Sequence, residues 1–342
     1  MKRSPDNPAA GILLVDKPQG LTSHDVVART RKFVGTRKVG HAGTLDPMAT
    51  GLLVLGINNA TRLLTWIVGL DKEYTATIRF GAATNTDDAD GEQGQQADVA
   101  ALGAVTDAAI AAGVAALTGP ILQRPSSVSA IKVDGKRAYT LARGGQEIML
   151  PSRPVTIVAF DILAIRRTDW LDVDVRVQCT SGTYIRALAR DLGESLGVGG
   201  HLTALRRTRI GPFAVDDAAA IDDAMRSKLL APAAVATELF GRVELTAEQA
   251  RELGNGTRIP LPPSTPTARH GAAVASSETG SAGPGPIAAV APDGRLVGLV
   301  EVIDGRAHVL VNFPRDATGP ALQDSPAGTA LPASPDATVV TP

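Results

Sequence analysis

The sequence predicts an α+β fold in which a mixed, mainly antiparallel sheet has helices packed on it. Segments 73–80 and 170–179 alternate apolar and polar residues with a period of two, which is typical of half-buried strands. Segments 23–34 and 185–196 place their apolar residues on one helical face. These strands and helices interleave irregularly, so the pattern differs from the regular repeat of a doubly wound parallel sheet.

The first helix is predicted over 23–34. Ser23 can cap its N-terminus, Asp25 suits the positive end of the helix dipole, and Gly35 ends it. The helix should pack on the sheet by an apolar face made of Val26, Val27, Thr30, Phe33 and Val34.

Each alternating strand presents one apolar face. In the first strand this face consists of Tyr74, Ala76, Ile78 and Phe80. In the second it consists of Leu171, Val173, Val175, Val177 and Cys179. We therefore interpret Cys179 as a small core residue. After Gly182 the period changes to that of a helix, which Gly197 terminates.

The C-terminal third of the chain differs in composition from the rest. Residues 8–240 are predicted to form the larger, catalytic domain and residues 241–314 a small β-rich module. Residues 263–286 contain no Leu, Ile, Phe, Tyr or Trp, and they are predicted to be a disordered insertion in that module. Residues 315–342 are rich in Pro, Ala and Thr and are predicted to be a disordered tail.

The small module should contain one helix and three strands. Thr246 and Gln249 form a capping-box pattern that opens a helix ending at Gly254. Turn residues separate the strands, which are predicted at 287–290, 296–302 and 308–313.

Composition excludes several classes of protein. Cys179 is the only cysteine, which excludes a disulfide framework and a multi-cysteine metal site. The five histidines lack metal-ligand spacing, and the phosphate-loop, dinucleotide-binding, zinc-hydrolase and serine-hydrolase motifs are absent. We therefore expect chemistry without a metal or a cofactor. No apolar run approaches the ~18 residues of a membrane helix and no signal sequence is recognisable, so a soluble, cytoplasmic protein is expected.

Positive charge is segregated along a chain whose net charge is only −1. Residues 1–50 carry a net +4, residues 121–160 a net +4 and residues 180–210 a net +3, whereas residues 71–120 carry −6. Such blocks can form one basic face for nucleic acid, although the arginines could equally be scattered on helix surfaces.

Asp46 lies in the segment Gly40–Gly51, which contains three glycines and one proline. This composition predicts a fixed, irregular loop that can hold a carboxylate at a cleft. An Asp-Pro pair alone is more often a simple turn, so its neighbourhood decides the interpretation.

That neighbourhood and several other segments resemble the TruB type of pseudouridine synthase, the bacterial tRNA pseudouridine-55 synthases. The matching motifs, in order, are GILLVDKPQGLTS from Gly11, KVGHAGTLDP from Lys38, KEYTATIRFG from Lys72, QRPSSVSAIK from Gln123, GKRAY from Gly135, CTSGTYIR from Cys179 and HLTALRR from His201. Arg124 departs from the family, because many members have a proline there.

The resemblance implies an enzyme that isomerises uridine 55 in the T-loop of tRNA without a cofactor. It implies that Asp46 is the essential aspartate, acting as a nucleophile or in forming a glycal, and that Arg186 pairs with it and favours its ionised form. Tyr74 would stack on the target base and is a candidate for removing the proton from C5. As a residue of an alternating strand, Tyr74 could otherwise be a core aromatic.

The resemblance also implies a set of RNA-binding residues. Tyr184 and Leu205 would line the pocket of the flipped uridine, and His41 would fill the space that the base leaves. Phosphate contacts are expected from Lys17, Lys132, Arg206 and Arg207. For the two arginines the alternative is that they brace the pocket of Asp46 from behind.

The implied partner is the T-stem-loop of tRNA. The C-terminal module would correspond to a PUA-like RNA-binding domain, shortened and interrupted here. A monomer without an obligate protein partner or membrane association is expected. Three alternatives remain: a guide-RNA-dependent, dyskerin-like synthase, a non-catalytic tRNA-folding chaperone that uses the same cleft, and a generic α+β hydrolase.

Overall fold

A computed structural model describes residues 9–126, 132–133, 136–137, 150–261 and 285–314. Its helices are α1 (Ser23–Val34), α2 (Leu64–Val68), α3 (Val99–Ala104), α4 (Asp107–Ala116), α5 (Ile185–Ser195), α6 (Pro232–Phe240) and α7 (Ala247–Gly254). In these described ranges no helix is both long enough and apolar enough to span a membrane.

The strands that form or flank the main sheet come first in the chain. They are β1 (Gly11–Lys17), β2 (Val39–Ala42), β3 (Thr50–Ile57), β4 (Lys72–Phe80), β5 (Ala82–Thr84), β6 (Gln93–Gln96), β7 (Gly119–Gln123), β8 (Lys132–Val133), β9 (Lys136–Arg137), β10 (Arg153–Arg167), β11 (Leu171–Cys179), β12 (Gly200–Ile210) and β13 (Phe213–Ala214). The C-terminal strands are β14 (Arg242–Glu244), β15 (Ile259–Pro260), β16 (Ile287–Val290), β17 (Leu296–Ile303) and β18 (Arg306–Asn312).

The main sheet has the strand order β1-β3-β12-β4-β11-β10-β7, with β2 paired to β3 and β13 to β12. β12 runs parallel to β3, and the other pairs in this sheet are antiparallel. This confirms the mixed, mainly antiparallel sheet. The strands β3, β12 and β4 form its centre, where the functional side chains lie.

The alternating segments form the strands that their pattern predicts. Tyr74, Phe80 and Val177 are buried on β4 and β11, and Cys179 is buried at the end of β11. Burial raises the pKa of the Cys179 thiol to about 11, which is consistent with an inert core residue. The predicted helix over 185–196 is α5, and Gly197 follows it with a φ of +70°.

Helix α1 occupies its predicted range, but its cap is Thr22 and not Ser23. Thr22 and Asp25 form a capping box, in which each side chain accepts from the backbone N–H of the other residue. Ser23 is buried instead, and its hydroxyl donates to Leu45 O (3.1 Å) and accepts from Leu45 N (2.9 Å). Because both residues are good cap formers, the sequence pattern did not distinguish them.

The C-terminal module is β-rich, with a second sheet in the order β14-β16-β17-β18-β15. Its helix α7 has the capping box that Thr246 and Gln249 predict. Leu299 and Phe313 of the module share one hydrophobic cluster with Ile12 and Leu52 of the main sheet. The division at residue 240 and the PUA-like assignment stay predictions. The expected insertion, apart from residues 285–286, and the expected tail lie outside the described residues.

Candidate active site

A cleft of about 300 Å³ opens beside the centre of the main sheet, which is within the size range of small-molecule pockets. Its polar lining comes from separate elements: the loop before β3, strands β4 and β12, and the N-terminus of α5. The side chains that matter most for chemistry are Asp46, Tyr74, Tyr184, Arg186, Leu205 and Arg207.

The loop that carries Asp46 is tied down on both sides. Ser23 holds the neighbouring Leu45 through its hydroxyl, as described above. On the other side Lys17 Nζ donates to the carbonyl oxygens of Leu21 (2.7 Å), Pro18 (3.1 Å) and Pro47 (3.3 Å). These contacts position the carboxylate at the cleft and support the interpretation of the glycine-rich segment as a fixed loop.

Asp46 and Arg186 form an ion pair with 2.9 Å between Oδ2 and Nε. The Arg186 side chain is only 3% exposed, whereas that of Asp46 is 37% exposed, so the carboxylate faces the cleft and the guanidinium lies behind it. Arg186 is the second residue of α5 and turns inward, so it is not a helix-surface residue.

Arg186 is itself held by two further acceptors. Its Nη1 lies 3.2 Å from Asp88 Oδ2 and donates to Thr86 O at 2.6 Å. A buried guanidinium needs such partners, because an unpaired buried charge is expensive. The loop between β5 and β6 therefore fixes the direction from which Arg186 meets Asp46.

The pKa of the Asp46 carboxyl is raised above its ordinary value, mainly by burial. The charge of Asp88 acts in the same direction, whereas Arg186 and Lys17 act in the opposite one. The effect of Arg186 thus has the expected sign, but desolvation outweighs it.

Tyr74 lies on β4, opposite Arg207 of β12 and Val177 of β11. Its ring is buried in the wall of the cleft, and because Tyr74 and Arg207 are cross-strand partners their side chains lie on the same face of the sheet. Burial raises the pKa of this phenol, and Arg207 opposes the shift. Tyr74 is therefore both a core aromatic of the sheet and part of the cleft.

Tyr184 and Leu205 line the same cleft, Tyr184 from the residue before α5 and Leu205 from β12. Tyr184 precedes α5; its backbone N–H donates to Gln123 Oε1 (2.8 Å), and its carbonyl accepts from Gln123 Nε2 (3.0 Å). The guanidinium of Arg153 lies over the Tyr184 ring, 4.8 Å from its centroid. Both side chains that the resemblance assigns to the base pocket are thus brought to Asp46.

His41 lies on β2 and is not among the residues that line the cleft. Its ring packs edge-on against His24, with 5.7 Å between centroids. Burial and the neighbouring His24 and Arg207 lower the pKa of His41, so its ring is neutral at pH 7.

The structure contradicts the expected phosphate contacts of Lys17 and Arg207. Lys17 is fully buried and its ammonium group is used by the three carbonyls named above. Arg207 is only 1% exposed, and its Nε and Nη2 donate to Leu52 O and Gly43 O. Both cations therefore lie inside the protein, and the burial of Arg207 favours the alternative that it braces the Asp46 pocket, which stays a prediction.

Arg206 and Lys132 stay predictions as phosphate contacts. Arg206 points to the opposite face of β12 from Arg207 and is 40% exposed, but both its terminal nitrogens bond the Asp16 carboxylate at 2.8 and 2.9 Å. Lys132 belongs to β8, and its side chain lies outside the described part of the chain.

Two acidic residues and one arginine of this network were missed by the sequence analysis. Asp88 contacts Arg186, and Asp87 pairs with Arg190 at 3.1 Å. Arg190 Nη2 also donates to Arg124 O at 2.8 Å. The four-residue spacing of Arg186 and Arg190 on a helix was a usable signal, because two inward arginines require carboxylate partners.

The chain matches three family models along most of its length. Residues 31–185 match "TruB family pseudouridylate synthase (N terminal domain)", residues 186–239 match "tRNA pseudouridylate synthase B C-terminal domain", and residues 240–314 match "tRNA Pseudouridine synthase II, C terminal".

Individual relatives with high sequence identity carry a name of the same family. A protein of Leifsonia xyli subsp. xyli named tRNA pseudouridine synthase B is 56% identical over 311 residues, covering 90% of this chain and 97% of the relative. One of the same name from Streptomyces griseus subsp. griseus is 49% identical and covers 89% of this chain and 97% of the relative.

Among solved structures, the fold is similar to that in "Structure of H/ACA RNP bound to a substrate RNA containing 2'-deoxyuridine". The TM-score is 0.62 at 23% identity, and the match covers 90% of this chain and 86% of that chain. At this identity the likeness concerns the fold alone. The three family models and the relatives that are 56% and 49% identical over about nine tenths of its length show that the chain belongs to the TruB family of pseudouridylate synthases.

Proposed function

We propose that this protein isomerises uridine to pseudouridine at position 55 in the T-loop of tRNA. The observation that carries the proposal is the 2.9 Å pair of Asp46 and Arg186 at the mouth of a cleft that also contains Tyr74. Relatives that are 56% and 55% identical and carry the name tRNA pseudouridine synthase B support tRNA as the substrate.

The reaction breaks the bond between C1′ and N1, turns the uracil and joins C1′ to C5. Asp46 presents an exposed carboxylate edge to the cleft, and its Oδ2 is fixed by Arg186. Either the carboxylate attacks C1′ as a nucleophile, or it takes the proton from C2′ as a glycal forms. Both routes require the ionised carboxylate, which Arg186 favours against the effect of burial.

The target base must leave the T-loop stack before it can reach Asp46, which costs a few kcal/mol. Tyr74, Tyr184 and Leu205 offer aromatic and apolar surfaces for the extruded uracil. His41, neutral at pH 7, would take the vacated space in the RNA, since an uncharged ring is cheaper to insert between bases than a cation.

Tyr74 would stack on the uracil and accept the C5 proton after C1′ and C5 are joined. Its ring lies in the cleft wall, and the neighbouring Arg207 lowers the pKa of the phenol against the effect of burial, which favours a base that passes through a phenolate. Arg206 and Lys132 are the residues of the expected phosphate contacts that remain candidates. We further propose that the protein works as a monomer without an obligate protein partner.

An unmodified T-stem-loop RNA tests this proposal. The purified protein should convert the uridine at position 55, scored by carbodiimide mapping, without any added metal or organic cofactor. The matched control is the same RNA with a cytidine at that position, which should yield no product. Binding of the first RNA without conversion would instead support a tRNA-folding chaperone.

A further inference from the structure

Among the described residues, Arg207 has the largest side chain that is almost completely buried. It lies on β12, between β3 and β4, and lines the cleft that contains Asp46. Enclosing a guanidinium in this way costs several kcal/mol unless its N–H groups are well paired. A well-packed apolar residue at this position would stabilise the fold equally well. The presence of an arginine therefore points to a role for its charge.

The guanidinium joins three elements of the site. Its Nε donates to Leu52 O of β3 at 2.7 Å, and its Nη2 donates to Gly43 O at 3.0 Å, three residues before Asp46. The third element is β4, where Tyr74 is the cross-strand partner of Arg207, so both side chains lie on the same face of the sheet and both line the cleft. The planar fork of arginine suits this arrangement, because its donors have fixed relative directions.

We propose that Arg207 is a positioning residue of the reaction: it fixes the Tyr74 oxygen relative to the loop of Asp46 and stabilises the Tyr74 phenolate. The inference rests on the proposed function. In the step concerned, the phenol has already given its own proton to solvent water. The C5–H bond then breaks, its electron pair returns to the uracil ring, and the proton passes to the Tyr74 oxygen.

The electrostatics of the cleft agree with this role. Burial raises the pKa of Tyr74, and the charges of Asp46 and Cys179 act in the same direction. Arg207 acts in the opposite direction. Within the part of the chain that the structure describes, the other charged groups that line the cleft are Lys72, Arg153 and Arg186.

Fluorine NMR can test the contact without any enzyme assay. The chain has three tyrosines, so labelling with 3-fluorotyrosine gives three resonances, and Tyr74→Phe identifies that of Tyr74. Arg207→Gln should move the titration midpoint of Tyr74 upward by about one pH unit or more, and Arg207→Lys should move it less. The matched control is Arg209→Gln, whose guanidinium bonds Gly211 O outside the cleft. An unchanged midpoint in Arg207→Gln would overturn the proposal.

Single-turnover kinetics then test the catalytic consequence. Arg207→Gln should lower the rate of pseudouridine formation by about tenfold or more while the Kd for RNA stays within about threefold. In the Tyr74→Phe background the same substitution should have little further effect, because both changes remove one function. An equal loss in both backgrounds would show a merely structural role and contradict the proposal.

Two checks distinguish a failure of the variant to fold from a failure of the proposed function. The melting temperature of each variant is measured first, and if Arg207→Gln does not fold, Arg207→Lys carries the same comparison, since it keeps the charge but loses the fork. If the wild-type protein makes no pseudouridine, the proposed function fails, whereas an active wild type with an unshifted Tyr74 titration refutes only the role of Arg207.

Discussion

Asp46 lies in a cleft that favours the neutral form of its carboxyl group. The charges of neighbouring residues determine how far the pKa of that group is raised. Burial and Asp88 raise the pKa of the carboxyl, and Arg186 and Lys17 lower it. The ionised form is the reactive one in either route, so the activity must fall as pH decreases through this pKa. The position of that acid limb therefore reports the balance of charges around Asp46.

Asp88→Asn should move the acid limb of the pH–rate profile to lower pH. The substitution removes a negative charge that raises the Asp46 pKa, so the carboxylate persists into more acidic solution. The maximal rate should fall at the same time, because Arg186 loses a partner at 3.2 Å. Single-turnover rates from pH 4 to 8 would show both effects. The exposed Asp90 provides the control Asp90→Asn, and a shift of the limb to higher pH would refute the electrostatic account.

Tyr74→Phe should bind T-loop RNA with an affinity close to that of the wild type, because the ring keeps its stacking surface. The rate of product formation should fall by about 10²-fold or more, since the phenol oxygen that accepts the C5 proton is lost. Quench-flow with a matched Tyr139→Phe control would measure this. Wild-type turnover by Tyr74→Phe would reduce Tyr74 to a stacking platform.

The resemblance led to Asp46, Arg186, Tyr74, Tyr184 and Leu205, and the structure brings these five side chains to one cleft. It did not distinguish buried from exposed cations. Arg206 and Arg207 are consecutive on a strand, where neighbours point to opposite faces, so only one of them could face solvent. Lys17 offered no such signal, because its burial depends on a loop 30 residues away.

The backbones of β3 and β12 lie very close together where the two strands run parallel. Gly51 pairs with Arg207 at a φ of +99°, and a Cβ at this position would lie 2.2 Å from the Arg207 carbonyl oxygen. A glycine is therefore required there by both the backbone conformation and the close approach. This close approach of β3 and β12 fixes the position of the Arg207 backbone beneath the cleft.

Gly51→Ala should destabilise the protein strongly. The backbone conformation alone costs about 1–3 kcal/mol for a non-glycine residue, and the clash with β12 adds to it. Gly20→Ala is the matched control, since Gly20 has a φ of +83° but open space around its Cβ position. Urea unfolding should show a clearly larger loss for Gly51→Ala than for Gly20→Ala. Equal losses would mean that β3 and β12 can separate without cost.

Local patterns predicted α1, β4, β11 and α5 because their hydrophobic periods are long and regular. The parallel pairing of β12 with β3 could not be predicted, since it joins segments about 150 residues apart and only two residue pairs define it. Likewise, the short strands β5 and β6 carry no alternation, although their loop supplies Asp88.

The main sheet and the C-terminal sheet share one hydrophobic cluster, although the C-terminal sheet also has a core of its own. Phe240 at the end of α6 and Ala288 of β16 pack in the cluster that contains Leu52 and Val54 of β3. The sequence indicated a change of composition near residue 240 but did not indicate this packing, because the apolar residues of a strand do not show which other residues they contact. The C-terminal module is therefore a support of the main sheet as well as a candidate RNA-binding surface.

Salt dependence tests whether the segregated positive charges form one RNA-binding face. Log affinity for T-loop RNA should fall linearly with log salt, by about 0.7 to 0.9 per phosphate neutralised. Arg206→Ala should reduce this slope by about one unit, whereas the exposed Arg176 provides a control, Arg176→Ala, that should leave it unchanged. Filter binding at four salt concentrations would measure the slopes. An unaltered slope in Arg206→Ala would mean that this arginine serves only Asp16.

Asp46→Asn tests the central claim most directly, because it removes the reactive charge and nearly preserves the shape. The measurement is the yield of pseudouridine at position 55 of a full-length tRNA transcript, together with the Kd of the same RNA. We expect abundant product with the wild-type protein, none with Asp46→Asn, and affinities within a few-fold of each other. Substantial conversion by Asp46→Asn would contradict the account.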